Sequence, residues 1–231
     1  MAVGPKGITN RSLLIALDSA DKNSYPGTGA SWNDLTFSGN NSTLVNSPTF
    51  NAGDAGGSLT FNGTNQYVPT LSGNGLSTFT ISMWFRTTSS GTGPSYWQHP
   101  QLTGKSSAGG TSGDFGIHVV GGNIGYWTGL SNPDSSWSGA SVNNNRWTSV
   151  TVVANGSTTS LYLNGVLQTG SGLSVARGLN SEAFWIGGKG GSESPGSYLA
   201  CTIGNFLFYN VNLSAQEILE DYNILRRRFG V

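Results

Sequence analysis

Apolar and polar residues alternate with period two in short runs, and the runs are separated by Gly, Asn and Asp. Phe79, Ile81, Met83 and Phe85 alternate with Thr80, Ser82, Trp84 and Arg86. This predicts a strand over Phe79–Thr87 with one face in a core and the other only partly polar, because Trp84 lies on it. Phe115, Ile117 and Val119 repeat the pattern over Phe115–Val120. Gly121-Gly122-Asn123 then predicts a turn and Ile124–Thr128 a returning strand. Arg146–Ala154, Leu161–Leu163 and Val166–Leu167 read as a meander through two type I′ turns at Asn155-Gly156 and Asn164-Gly165, where both residues tolerate positive φ. Leu13–Leu17, Leu59–Phe61, Tyr67-Val68, Phe184–Gly187 and Leu199–Tyr209 are further strand candidates. Gly104–Gly113 and Gly187–Gly196 read as long loops.

One segment has helical period. Ser214-Ala-Gln-Glu217 predicts a capping box, in which hydroxyl and carboxylate satisfy free backbone N–H groups. Ile218, Leu219, Tyr222 and Leu225 follow as one stripe. Arg226, Arg227 and Arg228 fall at the helix end, where cations complement the macrodipole. They are either a solvated terminus or a docking contact for an acidic partner surface. The organisation expected is an N-terminal arm, residues 1–11, able to order against a partner, and a single all-β domain over 12–231.

Composition narrows the class. Gly, Ser, Thr and Asn supply 111 of 231 residues, while charged residues are 10% and the net charge is zero. That disfavours a helical bundle, a charge-driven disordered chain and a dedicated nucleic-acid binder, which needs a basic surface. No long apolar run predicts a membrane span, and Met1–Arg11 lacks a signal-peptide core. Cys201 is the single cysteine, so no internal disulfide forms. Its neighbours Leu199 and Ile203 predict a small core residue.

Ser58-Leu-Thr-Phe-Asn-Gly-Thr-Asn-Gln-Tyr-Val68, Phe79-Thr-Ile-Ser-Met-Trp-Phe85, the Arg146-Trp147 to Leu167 meander and Gly204–Ile218 occur in an order that resembles the concanavalin A-like jelly rolls of the laminin-G type. The resemblance implies two antiparallel sheets packed face to face, closed by the short C-terminal helix. The stretch Ile15–Leu35, the Leu44–Phe50 segment and the ending Asp221–Gly230 are similar to laminin-G-like structural proteins of tailed bacteriophages. This implies a non-enzymatic virion component, a capsid decoration or a part of the tail or fibre. It would be made in the host bacterial cytoplasm and displayed on the virion exterior, with capsid or tail proteins as partners and a homo-trimer as one fitting assembly. Asn62, Gln66 and Asn164 stand where many relatives carry Asp, which weakens a family-style calcium site. No cofactor is expected; a calcium ion would have to draw on scattered carboxylates such as Asp18 and Asp21.

The catalytic patterns sought are missing from the sequence. The four Glu (Glu182, Glu193, Glu217, Glu220) do not form the Glu-x-Asp-x-x-Glu cluster of glucan-cleaving relatives. Gly-x-Ser-x-Gly is absent, and His99 and His118 are the only histidines. His118 falls on the strand face opposite Ile117 and Val119, which predicts a structural or surface role. The alternative to a purely structural role is a module binding host-surface glycans. Sugars stack their apolar faces on aromatic rings and bond amides with their hydroxyls. Trp97, Trp127 and Trp137, with Asn132 and Asp134 nearby, are the candidates expected to be exposed. The competing reading packs those rings over the sandwich edge or into a subunit interface.

Overall fold

The computed structural model describes residues 8–72, 76–93, 95–107, 113–128, 131–136, 141–156, 158–168, 182–191 and 197–231. Strands are numbered in chain order. The larger sheet runs β14 (Val166–Leu167), β13 (Thr159–Leu163), β12 (Thr148–Asn155), β7 (Thr78–Arg86), β17 (Ala200–Tyr209), β5 (Ser58–Asn62), β4 (Thr49–Asn51), and β1 (Leu13–Asp18) also pairs with β17. The smaller sheet runs β11 (Ser131–Ser136), β10 (Asn123–Thr128), β9 (Phe115–Val120), β8 (Gln101–Lys105), β15 (Ala183–Ile186), β6 (Val68–Ser72). Its β16 (Lys189–Gly190) joins β8 in parallel. A short ribbon pairs β2 (Ser31–Trp32) with β3 (Ser42–Thr43), and the α-helix among the described residues, α1 (Ala215–Phe229), lies at the C-terminal end.

Period-two alternation fills the space between the sheets. Ile81, Met83 and Phe85 of β7 meet Phe115, Ile117 and Val119 of β9 in one cluster with Phe184, Phe206 and Phe208. This is the face-to-face sandwich that the alternation implied. Cys201 is buried in this cluster, and burial pushes its thiol pKa up.

A second apolar cluster lies on the outer side of the larger sheet, under α1. Trp84 occupies it, stacked on Phe229 at 4.2 Å and on Tyr222 at 5.6 Å. That explains why the outward face of β7 is not polar: the helix covers it. The capping box forms as read, with Ser214 Oγ accepting from the Glu217 N–H and the Glu217 carboxylate accepting from the Ser214 N–H at 2.7 Å. Residues 8–11 of the expected arm lie against this helix. Ile8 is buried, the Thr9 N–H donates to Asp221 Oδ1 at 2.7 Å, and Arg11 pairs with Glu217 at 3.2 Å. Residues 1–7 fall outside the described residues.

Three local expectations need correction. Asn164-Gly165 is a type I′ pair with φ of 51° and 76°, but Asn155 ends β12, and its N–H donates to the Thr158 carbonyl. The turn therefore starts at Gly156. The stretch beginning at Gly104 opens inside β8, not in a loop, and Gly187–Gly196 contains β16. Both strands lack a hydrophobic alternation. β8 carries one aliphatic residue, Leu102, and its pairing is set by neighbours distant in sequence.

Candidate functional site

The outer face of the smaller sheet carries a group of aromatic and amphipathic side chains. Alternation in β9 turns Gly116 and His118 outward while Phe115, Ile117 and Val119 face the core. In β10 it turns Gly125 and Trp127 outward while Ile124 and Tyr126 face in. Register then sets two rows across the sheet. One runs Trp185, Gly104, Gly116, Trp127; the next runs Gln101, His118, Gly125. The glycines form a floor. A Cβ on Gly116 would overlap Gln101 Oε1 and Trp127 Nε1, and one on Gly125 would overlap His118 Nε2, so large side chains lie flat where the neighbouring strand has none.

The segment from Ser95 to Pro100, with a 3-10 turn at Tyr96–Gln98, folds over part of this floor. Trp127 Nε1 donates to Gln101 Oε1 at 3.1 Å, and Gln101 Nε2 donates to the His99 and Tyr96 carbonyls at 2.9 and 3.2 Å. The His99 ring stands edge-on to His118, with centroids 4.8 Å apart. His118 has no accessible surface, and neither ring nitrogen has a hydrogen-bond partner among the described residues. Burial first, and His99 second, push its pKa from 6.5 down to about 3, so the ring is neutral.

The sequence-derived candidates separate here. Trp97, at the crest of the 3-10 turn, is 40% exposed and available. Trp127 is only 2% exposed, which corrects the expectation that it is a free platform: Tyr96 packs on it with centroids 5.5 Å apart. Asn132 and Asp134 fall on β11, the strand beside Trp127's own β10, where only the backbone is described. Trp137 lies outside the described residues.

Beyond β8 the aromatic band continues through residues that sequence reasoning passed over. Trp185 is near-parallel to Tyr67 at 3.7 Å and to Tyr198 at 6.4 Å, and all three are half-buried. The neighbouring Ser197 ties this cluster to the turn, since its Oγ donates to the Trp97 carbonyl at 3.1 Å. Alternation in Phe184-Trp185-Ile186 did carry a signal that Trp185 faces outward. Tyr67 and Tyr198 gave none, being placed by isolated bridges to Val45 and Gln101. At the band's margin Lys105 is buried. Desolvation brings its ammonium pKa down to about 8 against the opposing pull of Asp114 and Glu182, and its Nζ donates to the Glu182 carbonyl at 3.2 Å.

The arginine triplet also divides. Arg226 and Arg227 are exposed, but Arg228 points inward, which corrects its reading as a docking residue. Its guanidinium bonds both Asp18 carboxylate oxygens at 2.7 Å and the carbonyls of Ala55, Gly57 and Gly204. Asp18, a calcium candidate, is thereby committed to an ion pair. Asp21 accepts from the Asn23 backbone N–H at 2.9 Å. Among the described residues no group of three or more His, Cys, Asp or Glu is placed to hold a metal. No helix among them is long and apolar enough to cross a membrane.

Comparison with solved structures finds the same fold. The binding domain of Paraclostridial Mosquitocidal Protein 1 superposes with a TM-score of 0.65 at 17% identity, over 92% of this chain and 52% of that one. Trypanosoma rangeli sialidase in complex with 2,3-difluorosialic acid gives 0.66 at 18%, over 96% and 35%. This chain thus spans about half of the first protein and a third of the second. Domain 4 of AbnA, an extracellular arabinanase from Geobacillus stearothermophilus, in complex with arabinotriose, gives 0.65 at 16%, over 91% and 98%. Comparison with curated proteins finds no match. The sequence model described as the concanavalin A-like lectin/glucanases superfamily, Laminin_G_3, matches residues 61–219. With that match over most of its length and this sandwich beneath it, the chain belongs to the concanavalin A-like lectin/glucanase superfamily.

Proposed function

We propose that this domain is a non-enzymatic binding module that holds carbohydrate chains against the outer face of its smaller sheet, and that it works on the exterior of a tailed-bacteriophage virion. The observation that carries the binding reading is the aromatic band, Tyr67–Trp185–Tyr198 joined through Ser197 to the exposed Trp97. Aromatic faces flanked by amides and hydroxyls match the amphipathic faces of sugars. The arabinotriose-bound AbnA domain, with the same fold along nearly its whole length, supports the same reading. The non-catalytic reading is supported by how three of the carboxylates are spent. Asp18 pairs with Arg228, Asp54 with Arg86, and Glu217 caps α1, whereas sugar hydrolysis needs two carboxylates facing one bond.

The virion setting is supported by the resemblance of both chain ends to phage structural proteins. The partners would be capsid or tail proteins, with Arg226 and Arg227 free to contact them, and a trimer would suit either position. Two measurements test the pair of readings separately. A glycan array followed by calorimetry should find a neutral oligosaccharide that binds, and joint Trp97→Ala and Trp185→Ala substitution should weaken it by about tenfold or more, the loss of ~1.4 kcal/mol of stacking. Unchanged affinity would discard the site. Mass spectrometry of purified virions should detect the chain, with high copy number marking a capsid decoration and a few copies a tail part. Its absence from virions would remove the setting and leave the binding reading intact.

A further inference from the structure

The outer face of the larger sheet holds a separate constellation. α1 covers that face only as far as Phe229. Beyond it two clefts, of about 380 and 300 Å³, adjoin and share Arg146, Trp147 and Val231. The first is within the size range of small-ligand sites. A third, of about 180 Å³, continues from it past Arg86 and Asn145 along a row of threonines.

The charges there are unequal. Arg86 pairs with Asp54 at 2.8 Å, and Asp54 also accepts from Ser58 Oγ at 2.8 Å and Trp147 Nε1 at 3.3 Å, so its carboxylate is spent. The Arg146 guanidinium, lining both larger clefts, has neither a hydrogen-bond nor an ion-pair partner among the described residues. Its main chain is held: Asn145 sits at φ 59°, and the Arg146 N–H donates to Asn144 Oδ1 at 2.9 Å. The Trp147 ring is half-buried, with Phe229 at 4.8 Å and the Arg86 cation 5.5 Å from its centre. The Arg86 side chain is itself oriented by Asn145 Oδ1 at 3.2 Å, and its Nε is buried without a partner.

An uncommitted guanidinium beside an indole wall, with the amides of Asn144, Asn145 and Asn164 around it, combines three recognition chemistries. A guanidinium takes a carboxylate in a two-pronged bond. An indole takes the C–H face of a sugar ring. The Asn145 and Asn164 amide nitrogens can donate to hydroxyls, their Oδ1 atoms being held by Arg86 and by the Ser149 N–H. We infer that this cleft is a second binding site, for a carboxylate-bearing sugar, with Arg146 as the residue that selects the acid. It uses none of the residues of the aromatic band and stands or falls apart from it.

The test is calorimetry on the full chain with three probes: an oligogalacturonate, the same oligomer with its carboxylates methyl-esterified, and a short polyglutamate. The oligogalacturonate should bind about tenfold or more tighter than its ester, and Arg146→Gln should remove that preference. Trp97→Ala with Trp185→Ala should leave it unchanged, which separates this site from the band. The Arg146 side chain makes no hydrogen bond or ion pair among the described residues, and its main-chain bonds do not depend on the guanidinium, so the variant keeps its fold. Equal binding of acid and ester, no binding of the acid, a preference that survives Arg146→Gln, or a preference lost with the band residues would each overturn the inference. Polyglutamate binding as tightly as the uronate would refute the sugar assignment.

Discussion

Lowering the pH from 7.5 to 4.5 should cost this fold about 2.7 kcal/mol through one side chain, His118. The ring lies flat over Gly125 with no accessible surface and, among the described residues, no partner for either nitrogen, and His99 faces it. Its folded-state pKa of about 3 is far below the 6.5 of the unfolded chain. For a base depressed on folding, the unfolded chain takes up the proton first. The contribution is therefore complete above pH 6.5 and is lost progressively as pH falls from 6.5 towards 3. At pH 4.5 the interval is two units, worth about a hundredfold in the folding equilibrium. His118→Leu supplies the control. It removes the titration and replaces an unsatisfied polar ring by an apolar side chain, so stability at pH 7.5 should change by less than about 1 kcal/mol. Urea unfolding of both proteins at both pH values gives the answer by difference, since other titrating groups cancel. Equal losses in wild type and variant between pH 7.5 and 4.5 would refute the reasoning, because they would show that the buried ring titrates as it does in water.

Other perturbations test separate parts of the structure. Arg228→Gln should destabilise by about 3–5 kcal/mol in denaturant unfolding, because Asp18 is left charged and buried, while Arg227→Gln should change stability by less than about 0.5 kcal/mol. Gly116→Ala should lower stability by about 1–3 kcal/mol, since the added methyl meets Gln101 and Trp127 over a rigid strand, and an unchanged urea midpoint would contradict the glycine floor. Ser214→Ala removes one half of the capping box and should cost about 1 kcal/mol in the same assay.

The two outer faces of the sandwich differ in how they are closed. α1 seals much of the larger sheet with rings stacked on Trp84. On the smaller sheet a connecting segment covers His118 and Trp127 but leaves Trp97 and the Trp185 cluster within reach of solvent. A domain built this way keeps its core intact while leaving separate side-chain surfaces in contact with solvent. The surfaces reside in side chains that contribute little to the inter-sheet core.

Much of this fold was legible residue by residue. Alternation fixed β7, β9, β10 and β17 to within a residue or two, and the Asn164-Gly165 pair and the Ser214–Glu217 box formed as read. These features depend on contacts within a few residues, so the local chain carries the information. β8 and β16 were not legible, because their residues are held by partners far along the chain. The site shows the same division. Period two decides which face of its own sheet a side chain takes, and it placed His118 and Trp84 opposite the core-facing residues of their strands. It carries nothing about what lies above that face. The 3-10 turn that buries Trp127 and the helix that buries Trp84 arrive from remote segments, as does Asp18, 210 residues before the Arg228 it neutralises. Exposure and charge pairing are properties of the assembled chain, so only the tertiary structure decided which rings and which cations remain free to bind.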